Sequence, residues 1–168
     1  MSKILANVAS IEWNGITLKI NNHFVKIRFY EMAWVNRFFI CFDGKYSGSF
    51  YLREPEDVMK FLKIVNNNDE KRLTLIKIAS LATSYRTSKK LVEKILDSSN
   101  IEQEVDGILK SVYYSLAQTR SVFAYEQIAE LLPELGNIKS KYLQRLKDLK
   151  VKFIVDGLTN NPYLEVGK

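Results

Sequence analysis

The chain has 168 residues, of which 46% are hydrophobic and 26% charged, and 25 basic against 19 acidic side chains give a net charge of +6 at pH 7. This composition is that of a globular protein and excludes a disordered chain. The longest apolar runs span a few residues, so no membrane helix of about 20 residues is expected. The first residues hold no apolar segment of signal-peptide length, which predicts a cytoplasmic location.

The sequence offers few candidates for catalysis. Cys41 is the only cysteine and His23 the only histidine, which excludes a disulfide, a cysteine zinc site and most nucleophile–histidine chemistry. Glycine-rich phosphate loops and the short motifs of zinc peptidases and serine hydrolases do not occur. A nuclease using Asp43, Glu56 or Asp57 stays open, because carboxylate sites are assembled in space. We therefore expect a protein that is not an enzyme and uses no cofactor and no metal.

Positive charge is unevenly distributed along the chain. Basic side chains exceed acidic ones in residues 1–100 and again in residues 136–168, whereas residues 101–135 are acidic. A basic excess favours a polyanionic partner. The distribution predicts two nucleic-acid-facing surfaces, or one surface assembled from both ends. Chance scatter in a short chain is the alternative.

Residues 8–53 alternate between apolar and polar side chains, which is the period of β-strands. Turns are marked by Asn14-Gly15, Asn21-Asn22 and Asp43-Gly44. The pair Asn14-Gly15 predicts a hairpin turn with a positive φ at both residues. The pattern as a whole predicts an antiparallel sheet of four or five strands.

One face of this sheet is predicted to carry aromatic rings and cations together. Its members are Lys19, Phe24, Lys26, Arg28, Tyr30, Arg37, Phe39, Tyr51 and Arg53. Rings stack on any base and cations neutralise phosphates, so the pattern predicts binding of single-stranded DNA or RNA. The alternative is structural, because a sheet covered on both sides would use the same residues in its core and in cross-strand pairs.

From Pro55 onward the periodicity is helical. Pro55 suits the first turn of a helix that ends near residues 66–68, and two further helices are predicted over residues 69–82 and 87–96. The first half is therefore predicted to be α+β, an antiparallel sheet packed with helices. Polar residues 97–100 predict a joint, which divides the chain into domains of residues 1–97 and 101–168.

Residues 101–168 resemble a winged helix-turn-helix domain in their order of elements. Helices are predicted over residues 102–118, 125–132 and 138–149, with a turn at residues 133–136 and a hairpin formed by residues 151–155 and 163–166. Residues 128–132 and 142–146 resemble the two motif helices of that family. The whole chain is thus predicted to be α+β, with a winged helix at its C-terminal end.

The winged-helix resemblance implies that the second motif helix enters the major groove and that the wing touches the nucleic-acid backbone. The residues carried over to the groove are Lys139, Ser140, Lys141, Gln144 and Arg145, and those on or near the wing are Lys150, Lys152 and Asn160. The loop of residues 156–162 departs from the family, since it holds Asp156 and no cation. Many winged helices bind proteins, so duplex DNA and a protein partner both stay open.

Residues 8–66 resemble the ThermoDBP-type single-stranded DNA-binding proteins of archaea. The similarity lies in residues 24–30, in residues 50–53 and in the helix after Pro55. It implies single-strand binding on an aromatic-lined sheet and dimerisation through a C-terminal segment, which the winged-helix pattern replaces here. A composition rich in Lys, Ile and Asn fits an archaeon, its virus or any low-GC genome.

The sequence therefore predicts a non-enzymatic protein that binds single-stranded DNA or RNA on the sheet, with a winged helix for duplex DNA or a protein partner. One alternative is a sequence-specific transcription regulator of the winged-helix type. Another is a small structural subunit of a larger nucleoprotein complex, in which the exposed aromatics form a protein interface. A homodimer stays open, and no membrane partner is expected.

Overall fold

The computed structural model describes residues 3–31, 36–42, 48–82, 85–119, 122–136 and 139–159. Within them, five strands precede six α-helices and one 3-10 helix. The strands are β1 (Ala6–Glu12), β2 (Gly15–Ile20), β3 (His23–Glu31), β4 (Asn36–Phe42) and β5 (Gly48–Leu52). The helices are α1 (Pro55–Asn66), α2 (Glu70–Ala82), α3 (Tyr85–Asp97), α4 (Ile101–Thr119), α5 (Val122–Leu131), the 3-10 helix Leu132–Leu135, and α6 (Lys139–Thr159). The predicted α+β class, with an antiparallel sheet followed by helices, is confirmed.

The five strands form one antiparallel meander in the order β1-β2-β3-β4-β5. Residues paired across antiparallel strands share a face, so the register assigns every side chain to one side of the sheet. The fully buried sheet residues lie on one side, which we call the helix side: Ile20, Val25, Ile40, Phe42, Phe50 and Leu52. The rings of Phe42 and Phe50 lie 5.3 and 5.1 Å from the ring of Phe61 in α1, so the helices cover this side.

The predicted Asn14-Gly15 turn is wrong by one position. The two turn residues are Trp13 and Asn14, and Gly15 is already paired as the first residue of β2. Neither Asn14 nor Gly15 has a positive φ. The glycine is required for a different reason, because a Cβ at this position would lie 2.6 Å from the carbonyl oxygen of Ile27 in β3. A close approach of two backbones, and not turn geometry, explains the residue type.

The β2–β3 turn connects the sheet to the end of α1. Asn21 has a φ of 54° and its Nδ2 donates to the carbonyl oxygens of Val65 and Asn66, at 3.1 and 2.9 Å. The same amide lies 3.3 Å from Oδ1 of Asn68. Asparagine adopts the left-handed conformation more readily than most residues, and a helix C-terminus leaves carbonyls without intrahelical donors. Asn21 therefore adopts the backbone conformation that the turn needs and also donates hydrogen bonds to carbonyls at the end of α1.

Replacing Asn21 with alanine is expected to lower the free energy of unfolding by about 2–3 kcal/mol, because the helix-end carbonyls lose a donor and alanine is strained at this φ. Asn21→Gly removes the same hydrogen bonds without the strain, so its loss should be about 1 kcal/mol smaller. Urea unfolding monitored by circular dichroism measures both. Equal losses for the two variants would contradict a contribution from backbone strain.

Helix α2 lies at the centre of the molecule. Its side chains Leu73, Leu75, Ile76, Ile78 and Ala79 are buried, and it packs against β5 as well as against α3, α4 and α5. The buried core thus runs continuously from the sheet into the C-terminal helices, across the joint predicted at residues 97–100. The division into two domains stays a prediction. None of the described helices has the length and apolar character needed to cross a membrane.

The connection between α3 and α4 is held by Arg72 of α2. Its Nε donates to Oδ2 of Asp69 at 2.8 Å, and its Nη2 donates to the carbonyl oxygen of Ser98 at 2.6 Å. Its Nη1 donates to the carbonyl oxygen of Ile95, in the last turn of α3. One guanidinium group therefore caps α3 from the side of the central helix.

The predicted first strand of the wing is wrong. Residues 151–155 belong to α6, which runs unbroken to Thr159. Their β-branched composition favours a strand, but Leu149 and Phe153 continue the buried spacing of Leu146, and the Phe153 ring lies 6.4 Å from that of Tyr125. Packing against the core therefore overrides local preference. Lys152 accordingly sits on a helix and not on a wing, while Asn160 and the predicted second strand, residues 163–166, lie outside the described residues.

Candidate nucleic-acid interface

Eight of the nine residues predicted to face outward in the sheet share the side opposite the helices. The register pairs Lys19 with Phe24, Arg28 with Phe39, Tyr30 with Arg37 and Phe39 with Tyr51, while Lys26 lies opposite Cys41. Arg53 follows the end of β5 and is exposed. We call the eight residues that the register places there the aromatic/basic face: Lys19, Phe24, Lys26, Arg28, Tyr30, Arg37, Phe39 and Tyr51.

A row of three rings crosses this face from β3 to β5. The ring centroid of Phe39 lies 6.4 Å from that of Tyr30 and 4.9 Å from that of Tyr51. All three side chains are half-buried, so each ring is supported by its neighbours while part of its surface stays open. Rings held in this way lose little conformational entropy when a planar ligand stacks on them.

Cations border the row of rings. Along β3 the alternate residues Phe24, Lys26, Arg28 and Tyr30 place two cations between two rings, with roughly 7 Å between successive members. The Arg37 guanidinium lies 5.9 Å from the Tyr51 ring centroid. A hydrogen bond with the Tyr30 side chain helps to raise the pKa of Arg28, which keeps this guanidinium charged.

Glu12 lies on the same side of the sheet as the aromatic/basic face, and the sequence pattern did not reveal this. Its Oε1 lies 2.6 Å from Nζ of Lys26 and its Oε2 lies 3.4 Å from Nη2 of Arg28. The hydrogen bond from Lys26 is the main cause of a lowered pKa at Glu12, so the carboxyl group is ionised at neutral pH. Two of the cations on the aromatic/basic face are therefore partly neutralised by this one carboxylate.

A β-bulge explains why Glu12 was missed. The pairing of β1 with β2 shifts between Val8 and Ser10, so the alternation of β1 changes phase at this point. Strict alternation from Val8 would place Glu12 on the helix side, whereas the observed pairing with Gly15 places it on the other side. Ile11 and Ile16 lie opposite each other across the hairpin, and both face the helix side. An apolar residue at position 11 is the sequence signal that its neighbour Glu12 faces the other side.

Cys41 lies among the cations of the same face. Burial raises the pKa of its thiol, although Arg28 and Lys26 act in the opposite direction. Its side chain is half-buried and forms no disulfide. Across the described residues, no group of three or more His, Cys, Asp or Glu side chains is arranged to hold a metal ion.

The residues predicted to enter the major groove begin α6. The backbones of Lys139 and Ser140 form its first turn, and their side chains lie outside the described part of the chain. Lys141, Gln144 and Arg145 are exposed, as is Lys152 further along the helix.

Several of these α6 side chains have partners within the protein. Lys141 Nζ lies 3.8 Å from Oδ1 of Asp106, and Gln144 Nε2 donates to Oδ1 of Asp148 at 3.0 Å. Lys150 Nζ lies 2.9 Å from Oε1 of Glu126. Carboxylates of residues 101–135 thus neutralise part of the basic helix, as Glu12 does for two cations of the sheet.

Buried tyrosines hold α4 and α6 together beneath this surface. Tyr113 donates its hydroxyl to the carbonyl oxygen of Tyr142 at 2.7 Å, and Tyr142 donates its own hydroxyl to Asp106. Burial raises the pKa of both phenols, so they remain protonated donors. These tyrosines have a structural role and are not exposed to a ligand.

No protein-family model matches the chain, and neither a curated protein nor a solved structure matches it. The resemblances to winged helices and to ThermoDBP-type proteins therefore stay predictions. A function has to be inferred from the chain's own residues.

Proposed function

We propose that this protein binds single-stranded nucleic acid on the aromatic/basic face and catalyses no reaction on it. The supporting observation is the row formed by Tyr30, Phe39 and Tyr51, bordered by cations on the side of the sheet opposite the helices. Base–ring stacking contributes roughly 1–3 kcal/mol per base and is tolerant of sequence. Cations beside the rings neutralise the phosphates that connect the stacked bases.

The rings are tilted to one another, by 67° for Tyr30 and Phe39 and by 51° for Phe39 and Tyr51, and their partly open surfaces favour a single strand over a duplex. In a duplex the bases stack on one another and present only their edges in the grooves, so a ring on a sheet finds no open base surface. An unpaired strand presents a free π-face at every base. The proposed ligand is therefore DNA or RNA with unpaired bases, read through stacking and backbone charge.

Fluorescence anisotropy with a labelled oligothymidylate of about 12 nucleotides and a hairpin duplex of matched length tests this proposal. We expect tighter binding of the single strand, with a slope of log K against log salt of about −2 to −3.5 for three to five neutralised phosphates. The corresponding oligouridylate distinguishes DNA from RNA. A single strand that does not bind at low salt would overturn the proposal.

The C-terminal helices support a second binding surface, separate from the sheet. The succession of α5, the 3-10 helix and α6 has the order of a helix-turn-helix, and Lys141, Gln144 and Arg145 are exposed on its second helix. We propose this surface as a contact for duplex DNA or a protein, which the duplex arm of the same titration examines. Duplex binding that is lost in Arg145→Ala would support it.

One observation favours the alternative of a subunit in a larger nucleoprotein complex. Near the β1–β2 hairpin, the side chains of Trp13 and Ile11 are 94% and 79% exposed, which is typical of aromatic and aliphatic anchors in interfaces. On this proposal the isolated chain binds oligothymidylate poorly, and Trp13→Ser abolishes its incorporation into the complex.

A further inference from the structure

The contact between Glu12 and the two cations of β3 lies in an accessible position. The side chains of Glu12, Lys26 and Arg28 are 36%, 32% and 33% exposed, so solvent reaches all three. Both carboxylate oxygens are used, one for the ammonium group and one for the guanidinium group. The carboxylate of Glu12 therefore already occupies the position between these two cations of the aromatic/basic face.

The carboxylate and the cations belong to different parts of the sheet. Lys26 and Arg28 lie in β3, the central strand of five, whereas Glu12 is the last residue of the edge strand β1. Residues Ala6 to Ile11 of β1 are all exposed, and Trp13 follows in the turn. The cations are thus fixed by a strand with neighbours on both sides, while the carboxylate is carried by a strand with one neighbour.

The two cations have the chemistry of a phosphate site. A carboxylate and a phosphodiester present similar pairs of anionic oxygens, and an arginine beside a lysine binds either. The Arg28 Nε is buried and forms no hydrogen bond with the described residues. The guanidinium therefore retains a donor that Glu12 does not satisfy.

The position of the two cations fits the proposed ligand. Lys26 and Arg28 lie between Phe24 and Tyr30 along β3, and all four side chains are on the same side of the sheet. A phosphate between the two cations would leave the adjoining bases beside the rings at both ends of the strand. The same two side chains are the ones that Glu12 occupies.

We propose that Lys26 and Arg28 form a phosphate subsite for the nucleic-acid backbone, which Glu12 occupies in the free protein and leaves when a phosphate binds. This inference rests on the proposed function, and it adds the position of the backbone on the face and a residue that limits affinity. Glu12 is a competitor within the protein and takes no part in binding.

The test compares Glu12→Gln with Glu31→Gln in the oligothymidylate titration. Both variants remove one negative charge from the end of a sheet strand, but Glu31 pairs with Asn36 and lies on the helix side by register. Glu12→Gln is expected to tighten binding about threefold to tenfold and to steepen the salt slope by about 0.7, the value for one additional phosphate contact. Glu31→Gln should change neither quantity beyond the small effect of net charge.

Repeating the Glu12→Gln substitution in a Lys26→Gln variant tests whether the gain in affinity arises at the subsite. In Lys26→Gln, the further substitution Glu12→Gln is expected to give little gain, because one of the two cations that it would uncover is absent. Unfolding midpoints of all variants are measured to confirm that the fold is retained.

The outcomes separate the two proposals. If the parent binds oligothymidylate and Glu12→Gln behaves like Glu31→Gln, the subsite is overturned while the aromatic/basic face stands. If neither the parent nor Glu12→Gln binds oligothymidylate, the proposed function fails and the subsite fails with it. A gain of equal size in the Lys26→Gln background would also overturn the subsite.

Discussion

Replacing Tyr30 and Phe39 together with leucine is expected to weaken binding of oligothymidylate by about 2–4 kcal/mol, roughly 30-fold to 1000-fold in Kd. The two rings are neighbours in the row that crosses the sheet, 6.4 Å apart. Leucine keeps an apolar side chain at each position but offers no π-face to a base. Anisotropy at low salt measures the loss, and the salt slope should stay near that of the parent because no cation is removed.

The same two strands supply a matched control. Phe29 and Phe38 are the sequence neighbours of Tyr30 and Phe39, and their rings lie 5.0 Å apart on the helix side. Phe29→Leu with Phe38→Leu removes two rings from the same strands and is expected to leave the Kd unchanged. Equal losses in both double variants would show that the substitutions act through the sheet as a whole, which would contradict stacking on the aromatic/basic face.

Arg72→Met is expected to lower the free energy of unfolding by about 2–4 kcal/mol. The Arg72 side chain is 14% exposed, and its loss leaves Asp69 without its ion pair and two carbonyls near the end of α3 without a donor. Methionine preserves much of the packing volume, so the loss reports the guanidinium. Urea unfolding should show a lower midpoint with an unchanged m value.

Lys71→Met is the control for this substitution. Lys71 is the adjacent residue of α2 and also forms an ion pair, but with Glu102, which is largely exposed. Surface pairs contribute about 0–1 kcal/mol, so this variant should lie close to the parent. Arg72→Lys keeps the charge and loses the planar fork, and it should fall between the two. A loss in Lys71→Met as large as that in Arg72→Met would point to charge, and not to the capping of α3.

The sheet was predictable because its signals are local. Alternation from Phe24 to Tyr30 fixes which side chains share a face, and the register confirms that assignment across β2 to β5. The position of Glu12 was not predictable from the same rule, since one bulge in β1 reverses the alternation.

At the C-terminal end, local sequence signals fail to predict the secondary structure. Val151, Ile154 and Val155 have the composition of a strand, yet α6 continues through them because Phe153 reaches the core beside Tyr125. That contact joins residues distant in sequence, so no local pattern contains it. The acidic segment of residues 101–135 shows the same limit, because the sequence pattern alone does not reveal which cations its carboxylates contact. Two of its carboxylates pair with α6 lysines, Asp106 with Lys141 and Glu126 with Lys150, while Glu102 and Glu104 pair with lysines of α2 and α3.

Strand β1 is exposed on both of its sides, so we expect it to separate from the sheet more readily than the other strands do. The buried residues of the sheet lie in β2 to β5, so detaching β1 removes little apolar contact and costs less free energy than global unfolding. The amide protons in the hydrogen bonds between β1 and β2 are then expected to exchange through fluctuations of the edge alone. Those of β4 and α2 are expected to exchange only when the whole core is lost.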